Sequence, residues 1–195
     1  LKAAYQSRVK EETLCFLPDR NGKIIFDESA INSLFVKTGA ILIGPGMGEN
    51  PELIKIIEYV KDNFSGTLVL DADALNAVAQ NADILKKHKA NIILTPHMGE
   101  FERLVKNAPP SDMPSIADRV KELAARLGVV IAAKSATTVI SDGKEVFLNT
   151  TGTPALAKGG SGDVLGGMIA AFSCRMPPLN AAVLGCYHFG KCAEV

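Results

Sequence analysis

The sequence has no excess of charge of either sign: 21 Lys and Arg offset 21 Asp and Glu over 195 residues. That argues against a generic nucleic-acid binder, which needs a cationic surface to displace counterions. It argues equally against a polybasic membrane anchor. No apolar run reaches the ~18 residues of a membrane-spanning helix, and the opening residues Leu1-Lys2-Ala3-Ala4-Tyr5 carry no signal-peptide stretch. The expectation is a cytoplasmic protein with neither a nucleic-acid nor a membrane partner. Cysteine is sparse: Cys15, Cys174, Cys186 and Cys192 form no C-x-x-C pair, and no His sits at zinc-finger spacing from them. They read as reduced, mostly buried small hydrophobes. There is no G-x-x-x-x-G-K-[ST], which excludes a P-loop. Internal repeats, low-complexity tracts and domain linkers are also missing. What is present is 47% hydrophobic and 22% charged residues, enough for one domain with a sizeable core.

The middle of the chain alternates strand and helix patterns. Ala40 to Ile43 is a short apolar run stopped by glycines. Asn50-Pro51 reads as an N-cap with Pro at the first helical position, and Leu53, Ile56, Ile57 and Val60 follow at helical spacing. Thr67 to Leu70 predicts a second strand, Ala74 to Ala79 a short helix, Asn91 to Leu94 a third strand and Glu100 to Val105 another short helix. Ile116 to Leu127 is a longer helical pattern ended by Gly128, and Val129 to Ala132 a fourth strand. Thr137 to Ser141 and Glu145 to Leu148 flank Asp142-Gly143, a two-residue hairpin signal. Val164 to Phe172 is apolar almost all round and predicts a helix buried on most sides; Leu179 to Ala193 predicts another. Alternating elements imply a largely parallel sheet with helices on both faces. The stretch from Asn107 to Met113, with Pro109-Pro110, is the expected mobile loop.

In a doubly wound sheet, ligands bind beyond the carboxyl ends of the strands. The four segments in that place carry glycine, carboxylate, imidazole and hydroxyl groups. They are Gly44-Pro45-Gly46-Met47-Gly48, Asp71 to Asn76, Thr95 to Glu100, and Lys134 to Thr138. The glycine loop is a poor dinucleotide fingerprint, because Glu49 stands where a third glycine belongs, although Asp71 lies where a ribose-binding acid would sit. A tight turn needing glycine is the plainer alternative. Asp71 and Asp73 read either as helix caps or as cleft residues. His97 reads as a surface residue or a ligand contact, and Glu100 as a helix cap or a partner of Mg2+ through water. His88 and His188 read as structural or surface residues. The richest segment is Gly159-Gly160-Ser161-Gly162-Asp163 at the start of a helix, where N–H groups and the helix dipole favour an anion. There Asp163 either complements the dipole or accepts the proton of a hydroxyl undergoing phosphorylation.

The ordered set GPGMG, DADALN, LTPHMGE, KSATTV and NTTGTPALAKGGSGDVLGG resembles the ADP/ATP-dependent NAD(P)H-hydrate dehydratases of the ribokinase-like superfamily, from about Ile41 onward. The resemblance implies a ribokinase-like three-layer sandwich: an α/β fold with a largely parallel sheet, helices on both faces and a β-hairpin in its C-terminal half. It implies that the S form of hydrated NADH or NADPH is returned to the reduced dinucleotide: ADP or ATP, with Mg2+, phosphorylates the ring hydroxyl and phosphate then leaves. By resemblance Asp163 is the base and also touches the substrate. Gly46 and His97 contact the hydrate, while Asp71, Asp73 and Asn76 line the same cleft. Lys134, Ser135, Ala136, Thr137, Thr138, Gly160 and Gly162 hold the nucleotide, and Glu100 stands where related kinases keep a magnesium-associated acid. A homo-oligomer, ring-like or tetrameric, is expected.

Family members usually carry a further N-terminal strand–helix segment with a Gly-Gly-Ser motif, and often a fused epimerase domain. The expectation is therefore one domain over 1–195 lacking that opening segment and the end of its last helix. A related thiazole- or pyridoxal-type alcohol kinase is the alternative, disfavoured by His97 where many such kinases carry Asn. A silent nucleotide-binding module is a third reading, disfavoured by the intact Asp163.

Overall fold

A computed structural model describes residues 12–106 and 115–194. The expected mobile loop at 107–113 lies outside the described residues. The chain opens with a small antiparallel hairpin, β1 (Asp19–Arg20) and β2 (Lys23–Ile24). Asn21 and Gly22 turn it, both at positive φ (54° and 77°), the conformation a tight hairpin demands. Helix α1 (Glu28–Leu34) follows, with Asp27 as N-cap accepting from the Ala30 N–H. Hydrophobic periodicity predicts neither element. Both signals, Asn-Gly and an Asp cap, are in the sequence, but the elements are too short for a periodic pattern.

The main sheet contains β3 (Ala40–Ile43), β4 (Thr67–Leu70), β5 (Asn91–Leu94), β6 (Val130–Ala133), β7 (Thr138–Ser141) and β8 (Val146–Asn149), side by side in chain order. The first four are parallel; β7 and β8 pair antiparallel. Between the parallel strands run α2 (Glu52–Asn63), α3 (Asp73–Val78), α4 (Met98–Val105) and α5 (Ile116–Leu127), the last closed by Gly128 at φ 70°. Helices α6 (Ser161–Ser173) and α7 (Pro178–Cys192) complete the described chain.

Side-chain alternation sorts the layers. Leu68, Leu70, Ile92, Leu94, Ile131 and Ala133 point into one core with α2 to α5, and Val69, Ile93, Val130 and Ala132 into a second with α6 and α7. The three-layer α/β sandwich expected from the sequence is thus present. It is not doubly wound, however. Strand order is sequential, and every crossover helix lands on the same face, as same-handed βα units moving in one direction must. Among the described residues, the opposite face is covered by α6 and α7 alone.

Other corrections are local. Asn50 does not cap α2 as a flanking residue: the helix starts at Glu52 with Pro51 in the cap position, and Asn50 Oδ1 accepts the Glu52 N–H at 3.1 Å. The β7–β8 connection has four residues rather than two, since Ser141 pairs with Val146. Asp142 Oδ1 accepts the N–H groups of Lys144 and Glu145, stabilising the wider loop, and Gly143 lies against Ala125 with no room for a Cβ. Helix α6 is buried along one side only, at Leu165, Gly166 and Ile169; Val164 is 56% exposed. Of the cysteines, Cys186 alone is buried; Cys15, Cys174 and Cys192 are exposed. Among the described residues no helix is long and apolar enough to cross a membrane.

Candidate active site

The four rim segments converge where α6 begins. After β3, Gly44 is obligatory: at φ 128° a Cβ would stand 1.7 Å from the Asp71 carbonyl oxygen. The rest of that loop is tied to α3 by the Gly48 N–H donating to Asp73 Oδ2 at 2.7 Å. After β4, a reverse turn from Asp71 to Ala74 puts Ala72 at φ 47°, a region costing a non-glycine residue about 1–3 kcal/mol. The turn sends its two carboxylates apart. Asp73 goes to the glycine loop, and Asp71, 2% exposed, takes Lys134 Nζ on Oδ1 at 2.8 Å. Neither acid caps α3, whose cap residue is Ala72 with no side-chain bond; the capping alternative is therefore wrong.

After β5, His97 is the N-cap of α4 and forms a reciprocal capping box with Glu100. His97 Nδ1 accepts the Glu100 N–H at 3.2 Å, and Glu100 Oε2 accepts the His97 N–H at 2.8 Å. An accepting Nδ1 leaves Nε2 to carry the ring proton, 3.4 Å from Glu100 Oε1. The imidazole is thereby oriented while its side chain stays 56% exposed. After β6, the Lys134 N–H donates to the Pro96 carbonyl at 2.7 Å, joining the third and fourth rim segments.

Over these residues stands the first turn of α6. Gly160 opens it at φ 87°, and Asp163 is its third residue, exposed. A Cβ on Gly162 would lie 3.3 Å from Lys134 Nζ and 3.4 Å from Asp71 Oδ2. The ion pair therefore presses against the helix start, where N–H groups lack helical acceptors.

The space enclosed is a cavity of about 910 Å³. Of the sequence-predicted residues, Asp71, His97, Glu100, Lys134, Ser135 and Ala136 line it, together with Thr138, Gly162 and Asp163. Gly46, Thr137 and Gly160 do not. Nor does Asn76, whose Oδ1 accepts from Arg103 Nε and a second guanidinium N–H at 3.2 and 2.9 Å. The remaining wall comes from the segment after β8 and from α7, with Thr151, Thr153 and Lys158, which fall in the NTTGTPALAKGGSGDVLGG motif without an assigned role, and Phe189, which lies outside it. The Asn-Thr-Thr-Gly-Thr-Pro run was a visible signal for that segment; Phe189 had none. Gly190 lets the segment approach α7, since a Cβ there would meet Thr151 Oγ1 at 2.1 Å. Cys186 lies in the floor, where burial pushes its thiol up to about 12 against the opposing pull of Lys134. His88, bonded through both ring nitrogens to the Ala90 and Gly128 carbonyls, is structural as read.

Among the described residues no group of three or more His, Cys, Asp or Glu is arranged to hold a metal ion. The Glu100 carboxylate is committed to its capping box.

A run of βα units with their helices on one face of the sheet, backed by two returning helices, with a glycine-opened helix start over a cavity at the strand ends, defines a ribokinase-like α/β protein. A ribokinase-like superfamily protein of Enterococcus faecalis shares the architecture at a TM-score of 0.67 and 27% identity, over 86% of this chain and 60% of that one. Within that class the chain belongs to the NAD(P)H-hydrate dehydratase family, whose model matches residues 7–195. It is 37% identical to the bifunctional NAD(P)H-hydrate repair enzyme Nnr of Pyrobaculum aerophilum over 83% of this chain and 32% of that protein. It superimposes on the ADP/ATP-dependent NAD(P)H-hydrate dehydratase of Bacillus subtilis, co-crystallised with ATP/Mg2+ and soaked with CoA, at a TM-score of 0.67 and 36% identity. That match covers 80% of this chain and 56% of the other. The chain spans about a third of the length of the curated relatives it matches.

Proposed function

We propose that the protein returns the S form of hydrated NADH or NADPH to the intact dinucleotide, with ADP or ATP as phosphoryl donor. Hydroxide is a poor leaving group, and phosphorylating the ring hydroxyl converts it to phosphate, whose departure restores the double bond. The observation that carries this reading is the Asp163 carboxylate, exposed to the cavity from the first turn of α6. There it accepts the hydroxyl proton as the oxygen attacks the terminal phosphorus. The N–H groups of the same turn stabilise the charge that develops on the phosphoryl oxygens. His97, fixed by its capping box with an Nε2 proton to donate, orients the hydrate, and the Lys134 segment carries the nucleotide.

Mg2+ would be supplied with the nucleotide, where it would neutralise phosphate charge, and Glu100 would hold it through water. The bifunctional and ADP/ATP-dependent names of the relatives support the substrate class. The test is incubation of the protein with S-hydrated NADH and either ADP or ATP while NADH absorbance is followed. Recovery is expected with at least one nucleotide; no recovery with either overturns the reading.

A further inference from the structure

Two lysines line the cavity, and they are in different states. Lys134 is spent: its ammonium is held by the buried Asp71 carboxylate at 2.8 Å and packed beneath Gly162. Lys158 is, among the described residues, the one lining cation with no carboxylate partner. Its backbone is pinned on both sides, the Lys158 N–H donating to the Leu156 carbonyl at 2.9 Å and the Lys158 carbonyl accepting the Ser161 N–H at 3.3 Å. The side chain is exposed, and Gly159 and Gly160 beside it face open space.

The charges call for such a group. Asp71, Glu100 and Asp163 stand on the cavity wall against Lys134 and Lys158, so the chain's own carboxylates outnumber its ammoniums there. A nucleoside di- or triphosphate adds several negative charges, and the start of α6 offsets only about half of one. We propose that Lys158 contacts the terminal phosphoryl group of the nucleotide and follows it through transfer. This rests on the phosphoryl-transfer reading of the site. The substrate oxygen forms its bond to the terminal phosphorus, and the bridging P–O bond breaks with its electron pair staying on the shortened nucleotide. The hydroxyl proton passes to Asp163. Lys158, a point charge on a flexible stem, neutralises the non-bridging oxygens between the two positions.

The test measures binding and turnover separately. ATP, ADP and adenosine are titrated calorimetrically into the protein and into Lys158→Met, Lys158→Arg and Lys144→Met, the last removing an exposed lysine from the β7–β8 loop. Expected is a tenfold or greater loss of ATP and ADP affinity in Lys158→Met, with adenosine unchanged, most of the loss recovered in Lys158→Arg, and no change in Lys144→Met. Equal ATP affinity in Lys158→Met and the unaltered protein overturns the proposal, as does a loss matched for adenosine. If hydrated NADH is not repaired but the Lys158-dependent affinity for ATP or ADP remains, the substrate assignment falls and this proposal stands. Failure of the unaltered protein to bind either nucleotide overturns both.

Discussion

The two faces of the sheet are built differently. The face under α2 to α5 is mainly apolar, filled by large side chains such as Leu53, Ile57, Leu75 and Leu123, and the buried Lys61 of α2 is paired with Asp62. The face under α6 and α7 packs small groups at close range. Ala132 and Ala182 lie in its core, a Cβ on Gly166 would stand 3.2 Å from Leu42, and one on Gly185 would meet Ile169 at 2.6 Å. At the carboxyl end this second face opens onto the ion pair, the thiol and the helix start. Large buried side chains supply the hydrophobic term. Close approach of small ones brings a helix terminus within reach of groups on the strands. The first face should therefore carry stability and the second chemistry.

The largest expected separation is at Asp163. Asp163→Asn should lower hydrate repair about 10²- to 10⁴-fold, the usual worth of a general base, while the thermal midpoint moves little because the side chain is exposed. Full activity in this variant removes the proposed base. On the other face, Ile57→Ala should cost about 2–5 kcal/mol in urea unfolding, with nucleotide affinity unchanged wherever the protein is folded. A comparable loss of affinity would mean that the faces are not separable. Asp71→Asn probes their junction. It leaves the Lys134 ammonium without its counter-charge, and a loss of about 1–3 kcal/mol is expected by urea unfolding.

The smallest effect belongs to the surface of the first face. The hydrogen bond from Arg119 holds the Glu102 carboxyl below its ordinary value of 4.5, against the raising effect of burial. A depressed carboxylate stabilises the fold above its unfolded value and loses that contribution as pH falls through the folded one. Because the pair is largely exposed, about 0.5 kcal/mol is expected. Glu102→Gln should flatten the acid limb of the stability–pH curve by that amount, and an unchanged limb would show that the pair contributes nothing.

Much of this was legible from the residues. The strand at Asn91 to Leu94, the helix at Ile116 to Leu127 and its Gly128 stop coincide with the structure, because each depends on contacts a few residues apart. The fourth strand came out one residue later than read, at Val130–Ala133, and the helix read from Glu100 starts at Met98 because His97 and Glu100 form a box around that turn. The gathering of motifs at one rim was legible too, since parallel strands all deliver their carboxyl ends to the same edge. What was not legible was the fate of each polar group there. Asp71 and Lys134 are 63 residues apart, and nothing local indicates that they pair or that Asn76 turns aside to Arg103.

Most of the elements from β3 onward, the three-layer class and the family are legible in the residues, since short-range periodicity, caps and motif order carry that information, whereas the short β1, β2 and α1 are not. Folding adds that the strands run in simple order and that, among the described residues, α6 and α7 alone close the second face and one cavity lysine is paired while the other has no carboxylate partner. Those outcomes depend on register and on packing between distant segments, where a carboxylate a few ångströms away settles what an ammonium can bind.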